Sequence, residues 1–352
     1  MREFDFVHRP RIVFGPGSSA RIGEFAANAT RVLLVTDKGV LAAGHADAVT
    51  AALPNVAVFS DVHENPTDQD VDACAELARG HDPDLIVGLG GGSALDVAKA
   101  TNMAGGRHRR MIAIPTTAGT GSECQPHAVI SDAATGAKKA IATADSLPET
   151  VILDPVLTLT QPRRVTVDSG LDAIVHAVEV SVTTARNPLS TMLAGEAFVL
   201  LNRNLPIVLA DPDDIGARGG MQLGAAWAGL AIAHSMLGAA HAAANPLTAR
   251  FHVTHGSAVA AMLPSVIRFN AQDDDTRARY AQLAARAGLT SLDERLAWLW
   301  SLTGNPPNLA GYGVHAQDVD ELAEAAAHQW TGTFNPRPVD ADAFRELYFA
   351  AL

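Results

Sequence analysis

Residues 84–104, DLIVGLGGGSALDVAKATNMA, carry the pattern that decides the fold. The apolar run 84–90 predicts a buried strand, and the glycines after it lead into residues that favour a helix. Consecutive glycines let a ligand approach the backbone, and the unpaired N–H groups of a helix start can bind an anion. Ser93 and Asp96 have the spacing of a helix N-cap and its third residue, which predicts that Ser93 caps this helix. The spacing differs from the dinucleotide fingerprint GxGxxG, so the glycines alone indicate either a phosphate cradle or a tight turn.

The chain on both sides of this stretch alternates short apolar runs with helical patterns. Besides 84–90, strands are predicted at 31–37, 56–61, 111–117 and 151–155, with a hairpin over 127–143 around a Thr-Gly turn. This alternation is typical of a Rossmann-like parallel sheet covered on both faces. After Pro162 the strand patterns stop, and helices are predicted at 164–183, 188–204, 213–242, 274–287 and 317–329. We therefore expect an α/β domain over residues 1–160 and an all-α domain over residues 161–352.

Composition limits the classes of function. The 352 residues include 26 basic and 38 acidic side chains, a net charge of -12, which disfavours binding to nucleic acid. The two cysteines are too few for a disulfide framework, and the opening residues lack the pattern of a signal peptide. No uninterrupted apolar run approaches the ~20 residues that span a bilayer. These features predict a cytoplasmic protein without a membrane partner.

A second polar loop follows the strand at 111–117, with Thr116, Thr117 and Thr120 among glycines. It is either an ordinary solvated loop or part of a ligand site, because open α/β sheets bind ligands where their strands end. Asp37 ends the strand at 31–37 and is placed either to cap the following helix or to accept hydrogen bonds from a ribose. An acid at that place would repel a 2′-phosphate, which favours NAD(H) over NADP(H).

Four side chains in the second half have metal-ligand chemistry. Asp172 and His176 are four residues apart on a helical pattern and share one face, as a surface salt bridge or as ligands of a divalent metal. His241 lies among small apolar residues that predict burial, either as a core histidine bonded to a carbonyl or as a third ligand. His255 follows at a predicted break between helices. Three histidines and one aspartate suit a catalytic metal that must also admit a substrate oxygen.

Several of these motifs occur together in one known family. The chain resembles the iron-containing (group III) alcohol dehydrogenases, which share the dehydroquinate synthase-like fold, and it lies close to the maleylacetate reductase-like branch. The matching stretches cover nearly the whole chain and include GGGSALDVAK, PTTAGTGSE, GLDAIVHAVE, the THG at 254–256 and Asn335-Pro336-Arg337. The resemblance implies that Asp172, His176, His241 and His255 bind Fe²⁺ or Zn²⁺. It also implies a cofactor site made of Asp37, Asn65, Gly91, Gly92, Ser93, Asp96, Thr116, Thr117, Thr120, Lys139 and Leu157, with Lys138 as the near alternative to Lys139.

The activity implied is that of a metal-dependent alcohol dehydrogenase. The metal polarises the oxygen of an alcohol, an aldehyde or an oxoacid while hydride passes to or from nicotinamide C4. A homodimer is also expected. Many members carry a second histidine four residues after the His241 position, but this chain has Asn245 there, which cannot act as an acid or base. His234, His252, ordered water and the ribose hydroxyl remain alternatives for proton transfer.

Three other functions are compatible with parts of this pattern. A maleylacetate reductase would not require a metal, and its branch tends to have Asn at the Asp172 position and to lack the acid at Asp96. A lyase resembling dehydroquinate synthase would use NAD only transiently. A metal-binding scaffold without activity would leave the glycine cradle and the threonine loop unexplained. The presence of Asp172 and Asp96 favours the metal-dependent dehydrogenase.

Overall fold

A computed structural model describes residues 9–106, 108–135, 138–143 and 146–352. Within them the chain forms two compact units. The sheet unit comprises the described chain up to Pro162 together with Asp213–Gly229, and the helical unit comprises Arg163–Pro212 and Leu230–Leu352.

The sheet unit contains eight strands among its described residues. Their bounds are β1 Arg11–Phe14, β2 Val32–Val35, β3 Val56–Phe59, β4 Leu85–Gly90, β5 Arg110–Pro115, β6 His127–Ser131, β7 Lys138–Ala142 and β8 Thr150–Leu153. Six of them form one parallel sheet in the order β1-β8-β5-β4-β2-β3, and β6 pairs with β7 antiparallel. The predicted parallel sheet is confirmed, and so is the pairing of the hairpin strands. The Gly136 of its predicted turn lies outside the described residues.

Both faces of this sheet are buried by apolar side chains. Successive residues of a strand point to opposite faces, and accordingly Val32 and Leu34 pack in one core cluster while Leu33 and Val35 pack in another. The sheet unit also contains the helices α1 Ile22–Phe25, α2 Lys38–Ala42, α3 His45–Thr50, α4 Asp68–His81 and α5 Gly92–Ala104. The strand order reverses between β2 and β4, and ligands of open α/β sheets bind at such a switch point, beyond the carboxyl ends of the strands.

Two features of the sheet unit differ from the prediction. The helix expected after β2 is divided into α2 and α3 by Gly44, whose φ of 77° no α-helix accommodates. Strand β1 was not predicted, because it is only four residues long, lies at the sheet edge and leaves Phe14 exposed. An edge strand of this kind lacks the continuous apolar run that identifies a central strand.

The helical unit consists of long helices and short 3-10 turns. Helix α8, Ile215–Ala233, begins in the sheet unit and enters the helical unit at Leu230. The other helices of the helical unit are α6 Arg163–Val180, α7 Pro188–Ala210, α9 Ala239–Phe251, α10 His255–Asn270, α11 Asp274–Arg286, α12 Leu292–Ser301, α13 Val319–Ala327 and α14 Ala341–Ala351. Helix α7 is long and apolar enough to cross a membrane by length and composition alone. Core helices of soluble proteins pass the same test, and 44% of its apolar window is buried inside the protein.

The single helix predicted over 213–242 is wrong, because two helices, α8 and α9, occupy this stretch. Asn187 Nδ2 donates to the carbonyl of His234 at 2.7 Å, and Gly238 is the N-cap of α9 with non-helical dihedrals, φ -131° and ψ -145°. The first part of the stretch, Asp213–Gly229, belongs to the sheet unit. Gln222 Nε2 donates to the buried carbonyl of Pro115 at 3.0 Å, a contact that the helical periodicity of the sequence does not reveal.

The sequence predicts His255 at a break between helices, and the structure agrees, because α9 ends at Phe251 and His255 is the first residue of the sixteen-residue helix α10. Helix α10 itself was not predicted, since a glycine follows His255 and Pro264 lies inside the helix. Helices α12 and α14 were likewise not predicted. The start of α10 is instead fixed by contacts with α6.

Candidate metal and cofactor sites

Helix α6 presents the first two candidate metal ligands on one buried face. Asp172 and His176 are one helical turn apart, and their exposed fractions are only 3% and 4%. The Asp172 Oδ1 to His176 Nε2 distance is 3.2 Å. Burial of this degree excludes the surface salt bridge that the sequence had left open.

The other two candidate ligands come from the first turns of α9 and α10. His241 Nε2 is 3.5 Å from Asp172 Oδ1, and His255 Nε2 is 3.8 Å from the same oxygen. The His176 and His241 rings stack with centroids 4.8 Å apart. Three helices that are distant in sequence therefore bring four metal-binding atoms to one place in the helical unit.

The spacing of these atoms fits a bound divalent metal. Ligands at about 2.1 Å from a tetrahedral metal are about 3.4 Å from one another, and Asp172 Oδ1 lies 3.2, 3.5 and 3.8 Å from the three imidazole nitrogens. Asp172 Oδ1 and His241 Nε2 are buried without a hydrogen-bond partner. Since such atoms are costly to leave unsatisfied, the donor set fits a cation.

Glu179, which no sequence pattern singled out, orients one of these candidate ligands. Its Oε2 accepts a hydrogen bond from His241 Nδ1 at 2.6 Å, and its two oxygens also accept from the backbone N–H groups of Gly238 at 3.1 Å and Ala240 at 2.6 Å. With the proton on Nδ1, the Nε2 lone pair is directed toward Asp172 and is available to a metal. The sequence spacing could have identified this residue, because Glu179 lies three residues after His176 on the same face of α6.

The electrostatics of this cluster are those of a cation site. Burial by itself would lower the pKa of His241, but the carboxylates of Glu179 and Asp172 outweigh it and raise that pKa to about 9. Burial would raise the pKa of Asp172, yet the nearby His176, His241 and His255 hold it well below its usual range. The cluster thus keeps Asp172 ionised and stabilises positive charge beside it.

The candidates for proton transfer lie outside this group of four. His234 follows α8, and burial lowers its pKa. His252 ends α9 in the left-handed region, with φ 55° and an exposed side chain. Asn245, which occupies the position of the second family histidine, donates from Nδ2 to Gln329 Oε1 at 2.9 Å.

The glycine stretch of the sheet unit begins α5 without a side-chain cap. The prediction that Ser93 caps this helix is wrong, because α5 begins at Gly92 with Gly91 as its N-cap. Asp96 does not turn back to the helix start as its spacing suggested. It accepts from Ser122 Oγ at 2.5 Å and from the Val129 N–H at 3.0 Å. The first N–H groups of α5 therefore have no side-chain acceptor at the N-cap, and they suit an anion such as a pyrophosphate.

The threonine loop packs directly against these glycines. A Cβ atom built on Gly92 would lie 2.7 Å from Thr120 Oγ1, and one on Gly91 would lie 3.3 Å from Thr117 Cγ2. Thr116 is buried, and its N–H donates to the carbonyl of Gly90 at 2.9 Å. The glycine and threonine loops thus form one surface where β4 and β5 end.

Asp37 lies at the switch point of the sheet, at the end of β2. Its Oδ1 accepts from the Val40 N–H at 3.0 Å, so the helix-capping alternative is present in the structure. Its Oδ2 faces the other way, toward Gly90 at the end of β4, where a Cβ atom would approach to 3.2 Å. Capping occupies one oxygen, and it is compatible with a further role for the other.

The remaining predicted cofactor residues differ in their exposure and in their contacts. Asn65 is exposed and has a left-handed φ of 55°. Lys139 forms an exposed ion pair with Asp132 at 2.8 Å on the β6–β7 hairpin. Leu157 is buried in a core cluster of the sheet unit, a structural role that its sequence position did not indicate. Their part in cofactor binding stays a prediction.

Two family models match nearly the whole chain. The model described as iron-containing alcohol dehydrogenase matches residues 9–155, and the C-terminal model of the same family matches residues 166–352. The 1-propanol dehydrogenase of Salmonella typhimurium is 32% identical over 364 residues, which cover 97% of this chain and 98% of that protein. The 1,3-propanediol dehydrogenase of Citrobacter freundii is 31% identical over 382 residues, with 99% and 98% covered. The bifunctional aldehyde-alcohol dehydrogenase of Escherichia coli is 34% identical, and there the chain spans 41% of the relative's length.

Solved structures with the same fold are named as oxidoreductases or reductases. A 1,3-propanediol oxidoreductase superposes with a TM-score of 0.93 at 30% identity, and both chains are covered completely. The sulfoacetaldehyde reductase of Bifidobacterium kashiwanohense, solved in complex with NAD⁺, has a TM-score of 0.93 at 27% identity, with 100% of this chain and 99% of that chain covered. The maleylacetate reductase of Agrobacterium tumefaciens has a TM-score of 0.88 at 30% identity, with 100% and 98% covered.

Proposed function

Because the chain belongs to the iron-containing alcohol dehydrogenase family, we propose that it is a metal-dependent, NAD(H)-linked dehydrogenase acting on small alcohols, aldehydes or ketones. The observation that carries this proposal is the set of four metal-binding atoms at Asp172, His176, His241 and His255. Its geometry suits a divalent metal, and a metal-free oxoacid reductase would have no need of it. Fe²⁺ and Zn²⁺ both accept such ligands.

Each part of the site has a defined task in this reaction. When bound, the metal polarises the substrate oxygen and the nicotinamide exchanges hydride with the substrate carbon. Asp172 supplies the negative charge that holds the dication, and Glu179 holds the His241 imidazole in the tautomer with a free Nε2. The uncapped start of α5 binds the pyrophosphate through backbone N–H groups.

The preference for NAD(H) over NADP(H) rests on Asp37. The oxygen that does not cap α2 faces the end of β4 at the switch point, where a ribose diol can donate hydrogen bonds to it. The same carboxylate would repel the 2′-phosphate of NADP(H). The NAD⁺ found in the related sulfoacetaldehyde reductase agrees with this choice.

The substrate class follows from the relatives and the site together. Relatives named for 1-propanol and 1,3-propanediol support a short aliphatic alcohol or its aldehyde, and an oxoacid of the maleylacetate type is the alternative. We place the protein in the cytoplasm, because Cys74 and Cys124 are free and buried, and we propose a homodimer from the family resemblance.

The decisive experiment combines metal removal with a substrate screen. The protein is stripped with a chelator and reloaded separately with Fe²⁺ or Zn²⁺, and NADH oxidation is measured with C2–C4 aldehydes and with oxoacids. We expect activity with an aldehyde that is lost on chelation, recovered with metal, and absent from the ligand variant His176→Ala. Full activity with an oxoacid after exhaustive chelation would refute the proposal. Transient NADH without steady accumulation during alcohol oxidation would instead indicate a lyase.

A further inference from the structure

Helix α6 carries two acids that flank the metal ligands on the same face. Asp168, Asp172, His176 and Glu179 follow one another at spacings of four, four and three residues, which places them along one stripe of the helix. Asp172 and His176 are the ligands, and Glu179 holds the start of α9, which carries His241. The fourth member, Asp168, has no assigned role.

Asp168 binds the start of the other ligand-bearing helix, α10. Its Oδ1 accepts hydrogen bonds from the hydroxyls of Thr254 and Ser257, each at 2.6 Å. Ser257 Oγ in turn accepts from Asn305 Nδ2 at 3.0 Å, which fixes its orientation. Thr254 is the N-cap of α10, yet its side chain makes no capping bond to its own helix. Its hydroxyl is used to attach the helix start to α6.

The backbones of α6 and α10 also lie close together at Gly256. A Cβ atom built on Gly256 would lie 1.9 Å from the carbonyl oxygen of Asp168, so a side chain at this position would collide with α6. Gly256 is the residue immediately after His255. The hydroxyl bonds and the glycine contact therefore hold the first turn of α10 against α6, one turn away from Asp172.

His255 is the ligand that most needs such support. It is the first residue of its helix, where helices fray, and its side chain is 29% exposed, whereas the His176 and His241 side chains are 6% and 5% exposed. It also lies farthest of the three imidazoles from Asp172. We propose that Asp168 is a positioning residue for the metal site, which acts by holding the first turn of α10 so that His255 completes the ligand set. This inference rests on the metal site of the proposed function.

The test compares metal affinity in variants of the full-length chain. Co²⁺ is titrated into the metal-free protein, and its visible absorption reports both the affinity and the number of ligands. Asp168→Ala removes both hydrogen bonds, and we expect affinity to fall by about 10- to 100-fold, the usual effect of losing an outer-shell partner. Asp168→Asn keeps an oxygen that can accept both hydroxyls, so most of the affinity should return. Asp340→Ala removes a helix-capping aspartate of α14 in the same unit and should leave the affinity unchanged.

A double-mutant cycle separates positioning from a general loss of stability. If Asp168 acts through His255, the effect of Asp168→Ala on Co²⁺ affinity should vanish, to within about twofold, in a chain that already carries His255→Ala. An equal loss in both backgrounds would overturn the inference, and so would wild-type affinity and absorption in Asp168→Ala. A wild-type chain that binds no Co²⁺ would overturn the metal site itself, which is a distinguishable result.

Discussion

Replacing Glu179 by glutamine tests how much the metal site depends on the residue that orients His241. Three donors converge on this buried carboxylate, namely His241 Nδ1, the Gly238 N–H and the Ala240 N–H. Alanine would leave all of them unsatisfied at roughly 1–3 kcal/mol each, which approaches the total stability of a domain. Glutamine has nearly the same shape and keeps one acceptor oxygen, so the chain should still fold.

The expected loss follows from the contacts that glutamine cannot reproduce. If its oxygen serves His241 and Gly238, its amide NH₂ faces the Ala240 N–H, and two donors meet where the wild-type distance is 2.6 Å. That arrangement costs roughly 1–3 kcal/mol of stability. If the amide turns over, NH₂ faces His241 and favours the tautomer with the proton on Nε2, which blocks the metal. Either way the metal affinity should fall by about 10- to 100-fold, or about 1.4–2.7 kcal/mol.

The assay is a Zn²⁺ titration of metal-free protein in competition with a chromophoric chelator, with a thermal melt of each variant. Because Glu179 and Asp172 raise the pKa of His241 to about 9, the proteins are compared near that pH, where fewer protons compete for Nε2. Asp318→Asn is the matched control, because Asp318 is also buried and accepts from a backbone N–H, that of His315. It should lower the melting temperature without changing the affinity. A folded Glu179→Gln protein with wild-type affinity would refute the reasoning.

Two further predictions concern the sheet unit. Burial raises the pKa of Glu123 from 4.5 to about 7, so its contribution to stability is complete below pH 4.5 and is lost as the pH rises to about 7, a change of roughly 3 kcal/mol. Melting temperatures of Glu123→Gln should therefore fall less than those of the wild type between pH 5 and pH 8, and parallel profiles would contradict this. Asp37→Ser keeps a capping oxygen for α2 and removes the charge, so the ratio of kcat/KM for NADPH to that for NADH should rise at least about tenfold. An unchanged ratio in steady-state kinetics would show that Asp37 does not face the ribose.

The sheet and its two polar loops could be predicted because their signals are local. A buried parallel strand is a continuous apolar run, as in 84–90, and a glycine cluster after it marks the turn beside a ligand. The start of α5 was predicted wrongly because it depends on contacts between residues that are distant in sequence. The Ser93–Asp96 spacing looks like a capping box, but Asp96 is drawn away by Ser122 and Val129, and neither partner can be found from the local pattern.

The candidate metal ligands could be chosen by residue type, whereas the contacts that hold these side chains could not be predicted. Glu179 acts on residues 59 to 62 positions later in the chain, and α10 begins at a His-Gly pair, where the glycine disfavours a helix. Its start is stable because α6 is in contact with it, an effect of tertiary structure that overrides local propensity. A carboxylate that follows a predicted ligand pair by three residues on one helix face is the signal that could have identified Glu179.

The charge balance of α6 gives an independent argument for a cation at this site. Asp172 and Glu179 are each 3% exposed, and burying two carboxylates on one helix face is unfavourable without positive charge nearby. Without a metal, a proton on His241 supplies that charge, which is why the pKa of this imidazole rises although burial opposes it. A divalent metal can replace the proton and provide more charge, and Asp172 Oδ1 and His241 Nε2, the atoms left without hydrogen bonds, are directed to the place where it would bind. The fold has therefore placed acids in its interior where a cation can compensate them, and metal binding should stabilise the helical unit as well as equip it for catalysis.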